Sequence, residues 1–241
     1  MNKINYLIIV ACFAFMLSSC SSSLYYQICD VYSTNTPRQG DKYVYEDDNC
    51  KVTYDFWAEN GDAGFVFTNK TDKNICVNLE KTFFVNNGVS NNYYFSIPKE
   101  RIYIPAKSNK KIEEYPILTS PYRNCDLLRV VNGNRIPIHD GFGNVIRYEY
   151  VETMVTKEFD KETSPIVFSN IICYSIENSN EEIVVTNEFF IQKIANKTDT
   201  EELKKAQVGC ENEKYKVEFF VDQAPNRFYI PYNTITDKKK H

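Results

Sequence analysis

From Val52 onward, short runs of β-branched and aromatic residues recur about every ten residues, each closed by Asn, Asp or Gly. That rhythm leaves room for strands and little else. Val52-Thr53-Tyr54-Asp55-Phe56-Trp57 is closed by Glu59-Asn60-Gly61-Asp62, and Gly64–Thr68 returns to the turn Asn69–Asn74. Ile75, Val77 and Leu79 then alternate with Cys76 and Asn78, the period of a strand with one buried face. Further extended segments are expected at Thr82–Val85, Arg101–Pro105, Lys111–Ile117, Ile166–Ile176, Glu182–Gln192, Tyr215–Val221 and Arg227–Tyr232. Arg135–Ile138 and Val145–Tyr150 form the clearest hairpin, with Gly141, Gly143 and Asn144 at its turn and Pro137 confining its strand to an edge. The expected fold is all-β, an antiparallel β-sandwich, because that spacing belongs to sandwiches and barrels.

Two passages read differently. Ser21 to about Asp41 is polar and carries Thr36-Pro37-Arg38-Gln39-Gly40, so residues 20–41 read as a tether ahead of a β domain over 42–241. Thr198 and Glu201 stand at capping-box spacing before the helix-favouring Glu202-Leu203-Lys204-Lys205-Ala206-Gln207, which predicts one short helix over Thr198–Gln207. Ile75–Val85 ends Phe83-Phe84-Val85 and Ile183–Ile191 ends Phe189-Phe190-Ile191; the echo allows two β lobes with a boundary near 125–135.

Ahead of all this, Met1-Asn2-Lys3 precedes the apolar stretch Tyr6–Leu17 and then Ser18-Ser19-Cys20-Ser21. One basic residue, an apolar run too short to span a bilayer of roughly 30 Å and a small-residue cleavage region make residues 1–19 a secretory signal peptide. Leu17-Ser18-Ser19-Cys20 resembles the bacterial lipobox. The resemblance implies that Cys20 becomes the mature N-terminus, carrying a diacylglyceryl group on sulfur and a further acyl chain such as palmitate on its amine. Several chains hold a protein on a membrane where one chain holds only marginally. Ser21 in place of Asp implies the outer membrane, and the absence of an acidic cluster in Ser21–Gln27 implies its periplasmic face.

Of eight cysteines, Cys12 leaves with the leader and Cys20 carries lipid. Cys29, Cys50, Cys76, Cys125, Cys173 and Cys210 remain, either as disulfides, which an oxidising compartment permits, or as free buried thiols. None stands as C-x-x-C beside a histidine, so no metal site is expected. Eighteen Tyr and sixteen Phe with a 43 % apolar fraction are the makings of a packed core. Losing Lys3 with the leader takes the formal charge from −4 to −5, and no basic stripe offers itself to nucleic acid.

Gly64–Gly88 followed by Arg101–Leu118 resembles the immunoglobulin-like sandwiches of cell-envelope proteins, in which Asn-Lys-Thr-Asp turns one strand into the next and Ile-Pro-Ala-x-Ser precedes an edge strand. The mature chain also resembles a family of uncharacterised lipoproteins from gut Gram-negative anaerobes, through Tyr54–Gly61 and Arg227-Phe228-Tyr229-Ile230. The resemblance implies fold and address and brings no activity.

Candidates for chemistry are few. His139 is the sole histidine before His241, and it lies in a turn beside Asp140 with no Ser or Cys at a telling spacing. No G-x-S-x-G, H-E-x-x-H or P-loop occurs. Glu46-Asp47-Asp48 and the Asp140–Asn144 loop lack the calcium-loop pattern. Glu113-Glu114 and Glu181-Glu182 are adjacent pairs, and neighbours on a strand face opposite ways. Trp57, Tyr93 and Tyr94 are the residues that could make an aromatic platform for a sugar ring, against the plainer reading of core and loop aromatics. The sequence therefore predicts no cofactor and a non-enzymatic module, bound to the membrane through Cys20 and docking an envelope protein or a glycan. The alternatives are a glycan-active enzyme with carboxylates gathered from separate strands, and an accessory of envelope assembly.

Overall fold

The computed structural model describes residues 24–93, 101–112, 116–122, 131–152, 156–198, 202–210 and 213–233. In chain order the strands are β1 (Leu24–Ser33), β2 (Arg38–Gln39), β3 (Lys42–Glu46), β4 (Cys50–Tyr54), β5 (Phe65–Asn69), β6 (Ile75–Asn78), β7 (Phe83–Asn86), β8 (Val89–Asn92), β9 (Arg101–Ile104) and β10 (Asn109–Ile112). They continue with β11 (Val131–His139), β12 (Val145–Glu152), β13 (Thr156–Glu158), β14 (Val167–Ile176), β15 (Ile183–Thr198), β16 (Leu203–Cys210), β17 (Glu213–Phe220) and β18 (Arg227–Asn233). A single 3-10 turn, Leu79–Lys81, joins β6 to β7. The larger sheet runs β18-β1-β15-β14-β6-β9, with β13 on β15 and the β7–β8 hairpin on β14. The smaller runs β10-β5-β4-β3-β2, and all these pairings are antiparallel. The layering is that of the expected sandwich; the β2–β5 meander has no counterpart in the ABED and CFG division of seven-stranded immunoglobulin domains.

Period-two patterning explains how the layers meet. Cys50, Val52 and Tyr54 of β4 and Phe65, Phe67 and Asn69 of β5 point inward and are buried, while their neighbours face out. Phe168, Ile172 and Tyr174 of β14 and Val185, Phe189 and Ile191 of β15 come down from the other sheet. At the centre Phe189 packs on Tyr54 at 4.9 Å and on Phe56 at 5.0 Å, both edge to face, the arrangement ring quadrupoles favour. The Asn69 turn works as a clamp. Its amide donates to the carbonyls of Lys73 (2.7 Å), Ile104 (3.0 Å) and Pro105 (3.0 Å), fixing the β5–β6 connection to the start of the β9–β10 loop.

Two expectations are corrected here. Residues 20–41 are not a tether throughout, because β1 occupies Leu24–Ser33 between β15 and the edge strand β18 of the larger sheet. Tyr25, Gln27, Cys29, Val31 and Ser33 are buried along one face of it, and Tyr26 and Ile28 are covered on the other. The alternation was in the sequence, masked by polar Gln27, Asp30 and Ser33, whose partners come from distant segments. The short helix expected over Thr198–Gln207 does not run on through its second half: Thr198 ends β15, residues 199–201 lie outside the described residues, Glu202 is helical, and Leu203–Cys210 is the first strand of a hairpin paired residue for residue with Glu213–Phe220. Ten residues of modest helix propensity gain little as an isolated helix, and cross-strand pairing outweighs it. The β11–β12 hairpin forms as expected, and among the described residues the strand that carries Pro137 pairs with β12 alone.

Candidate functional site

Trp57 and Tyr93, two of the three residues of the expected aromatic platform, lie in separate clusters. Tyr93 is buried, edge-on to Phe65 at 5.6 Å, with its hydroxyl 3.0 Å from the Ala63 carbonyl and in contact with Asn170 Oδ1. Its alternation with Asn92 turns the ring into the core. Tyr94 lies outside the described residues. Trp57 instead joins Tyr229 (5.2 Å) and Phe220 (5.3 Å) on the outer face of the larger sheet, where Phe220 also meets Tyr229 (4.3 Å) and Tyr26 (5.2 Å).

Of the acidic candidates, Glu46, Asp47, Asp140 and Glu182 are engaged in local structure. Asp47 accepts from the backbone N–H of Cys50 (2.7 Å) and Asn49 (2.8 Å) and from the Tyr45 hydroxyl (3.0 Å); these bonds outweigh burial and lower its carboxyl below the usual range. Glu46 pairs with Lys70 at 2.8 Å and Glu182 with Lys81 at 2.6 Å. Asp140 accepts from Phe142 N and Asn144 N, both at 2.9 Å, and His139 Nδ1 lies 2.9 Å from the Gly143 carbonyl, so both serve the hairpin turn. Glu113 and Glu114 lie outside the described residues. Among the described residues no three His, Cys, Asp or Glu side chains gather as a metal site.

Of the cysteines expected as disulfide partners, Cys29, Cys50, Cys76 and Cys173 are free thiols. Cys29 and Cys50 are sealed in the core, and burial pushes their thiols up, that of Cys50 to about 12. Cys76 faces Ser175 across β6 and β14 and is not opposite another cysteine. Cys20 and Cys125 lie outside the described residues, as does the side chain of Cys210.

A polar cleft forms where β1 runs out. Two adjoining hollows of about 300 and 270 Å³ share Tyr32, Arg38 and Tyr43 as walls. The first is floored by the loop Ser33–Pro37, the second by Asp30, Asp41, Gln192, Asn226 and Arg227. The loop is pinned from within: Ser33 Oγ donates to the Glu188 carbonyl (2.5 Å) and accepts from Thr36 N (3.0 Å), Asn35 Oδ1 accepts from Glu188 N (2.9 Å), and Thr36 Oγ1 donates to Asn187 Oδ1 (3.1 Å). A site built on a fixed loop keeps its ordering cost out of binding.

Its chemistry is that of paired charges beside a ring. Tyr32 is 43 % exposed and braced edge-on by Phe190 at 5.5 Å. Arg38 donates from Nε to the Gly40 carbonyl (2.9 Å) and from Nη2 to Asp41 (2.7 Å), with Asn226 Oδ1 at 3.5 Å. Arg227 places Nε 2.7 Å from Asp30 Oδ1 and Nη1 3.6 Å from Asp222. Burial raises the Asp30 carboxyl, with Arg227 and Lys193 acting against it. Guanidinium forks, carboxylates and amides set around an exposed phenol ring suit a polyhydroxylated ligand: the ring takes an apolar face and the forks take hydroxyl pairs. Sequence reasoning missed this set because Tyr32 and Arg38 lay in the presumed tether and Arg227 arrives from the far end of the chain. The period-two burial of Tyr25–Ser33 was the signal that could have found it. No protein-family model, curated protein or solved structure matches the chain.

Proposed function

We propose that the protein is an outer-membrane lipoprotein, anchored by lipid on Cys20 at the periplasmic face, whose sandwich is a non-enzymatic module that binds a glycan of the cell envelope. The observation that carries the binding half is the cleft shared by Tyr32, Arg38 and Tyr43, fixed by the Ser33–Thr36 hydrogen bonds before any ligand arrives. The anchoring half rests on the lipobox-like Leu17-Ser18-Ser19-Cys20. Calorimetry of the mature protein against envelope glycan fragments tests the first: Tyr32→Ala and Arg38→Ala each weaken binding at least about ten-fold, the loss of roughly one well-made contact. Unchanged affinity in both variants rejects the cleft as the site. Mass spectrometry of the mature N-terminus tests the second, and an unprocessed Met1 rejects it.

One observation favours a second reading, glycan cleavage, because Asp30 and Asp41 line the same hollow and burial holds the Asp30 carboxyl up. Each carboxylate is ion-paired to an arginine, an arrangement better suited to holding a ligand than to moving a proton. Release of shorter glycans by the parent protein and its loss in Asp30→Asn would establish the enzyme over the binding module.

A further inference from the structure

The β16–β17 hairpin carries apolar side chains that stand outside the buried core of the described residues. Phe220 turns inward onto Tyr26, Trp57 and Tyr229, and the Val221 N–H bonds the Glu202 carbonyl at 2.8 Å to close the hairpin's base. Successive residues on a strand face opposite ways, so Val217 and Phe219 turn outward, 43 and 44 % exposed, and Val221, in the turn just past β17, is 50 % exposed. Lys204 stands opposite Phe219 and Ala206 opposite Val217. A row of large apolar side chains with lysine beside it is costly to leave in water.

The place of the hairpin says what covers that row. β15 runs antiparallel to β1, so its end at Thr198 lies beside Tyr25, and the hairpin leaves the sheet there. Lys197, opposite Tyr26, is ion-paired to Glu202 (3.5 Å) and to Asp222, fastening both ends of the hairpin to that end of β1. Leu24 is four residues from Cys20, a link that spans at most about 14 Å when fully extended. The geometry points to a bilayer docking surface: the hairpin lays Val217, Phe219 and Val221 on the lipid interface beside the anchor. This rests on Cys20 being lipidated, as proposed above. Three half-exposed side chains bind a bilayer weakly from solution, but a chain already moored within about 14 Å sees lipid at a high effective concentration.

The test uses full-length lipidated protein in phosphatidylethanolamine and phosphatidylglycerol vesicles carrying brominated acyl chains. Trp57 is the sole tryptophan, so Trp57→Phe gives a dark background for Phe219→Trp at the hairpin and, as a control, Tyr32→Trp at the far end of β1. Brominated lipid is expected to quench Phe219→Trp about two-fold or more, since apolar groups at an interface sit about 5–10 Å deep, and to leave Tyr32→Trp bright. Flotation with the vesicles but no quenching of Phe219→Trp overturns the docking face and leaves the anchor standing. An unquenched spectrum that shifts blue as protein density rises also overturns it, assigning the face to a second copy. Failure to float removes the anchor and the docking face together.

Discussion

Replacing Gly61 by alanine should be among the most damaging small changes in the molecule. Asn60 and Gly61 both lie in the left-handed region, at φ 65° and 75°, and their turn is held on every side. Asn60 N donates to the Tyr229 carbonyl (2.8 Å), while the Asn60 carbonyl accepts from Ile117 N (2.9 Å) and Leu118 N (3.1 Å). A Cβ on Gly61 would stand 2.8 Å from Ile117 Cδ1 and 3.0 Å from Phe228 Cγ, both in the core. Holding a side chain in left-handed backbone costs about 1–2 kcal/mol. Overpacking adds about 1–3 kcal/mol, and the stiffer unfolded chain returns about 0.4–1 kcal/mol. The net loss is about 2–4 kcal/mol, a fall of about 1–2 M in the urea midpoint at a slope of about 2 kcal/mol/M. Gly88 is the control. It has φ 81° and no atom within 4 Å of its missing Cβ, so Gly88→Ala carries the backbone cost alone, about 1 kcal/mol. Trp57, four residues before Gly61, reports the transition by fluorescence, and far-ultraviolet dichroism checks that the whole fold is lost together. If Gly61→Ala costs no more than Gly88→Ala, the packing argument at this turn is wrong.

Other expectations follow from the charge cluster and the thiols. Burial, the leading influence on Glu202, raises its carboxyl above the ordinary 4.5, so the fold favours its protonated form and stability falls as pH rises from about 4.5 through the raised value. Glu202→Gln should abolish that fall, visible as a flatter profile of urea midpoint against pH. Lys197 lowers Asp222 below 3.8, so its contribution is present above 3.8 and is lost as pH falls through the lowered value. Asp222→Asn should therefore cost about 2 kcal/mol at pH 7 and progressively less in acid, checked by the same titration. Native maleimide labelling followed by peptide mass spectrometry should spare Cys29 and Cys50, which are fully buried, and modify the half-exposed Cys76. Rapid modification of Cys29 would refute its place inside β1.

What could be read in advance was what local pattern controls. Val52–Tyr54, Gly64–Thr68 and Ile75–Asn78 carry their own alternation, and the Asn69 and Asp140 turns carry their own caps, so strands and turns there needed no knowledge of the partner. β1 and β16 failed that reading for one reason. Their polar residues are satisfied by partners on other segments: Gln27 of β1 by Asn196 and Tyr122, Ser33 of β1 by Glu188, and Lys205 of β16 by Glu218 across the hairpin. Local composition reports such residues as solvent-facing, and only the finished sheet reveals them as paired. The cleft shares that property, since Tyr32, Arg38 and Arg227 meet only after β18 has closed on β1.

The correction at β1 changes how far the proposed anchor lets the cleft reach. Were residues 20–41 a flexible tether, the folded domain could sit about 75 Å from its lipid. With β1 beginning at Leu24, the path from Cys20 to Tyr32 is the four-residue link and then eight strand residues of about 3.3 Å each, no more than about 40 Å. Ligands of the cleft must then lie close to the membrane that holds Cys20. A photo-crosslinking residue at position 32 should capture such material in cells, and about fifteen flexible residues inserted after Ser21 should broaden the captured set while calorimetry with isolated fragments stays unchanged. Identical captures from both lengths would mean that the anchor does not limit reach, and the short link would lose its functional meaning.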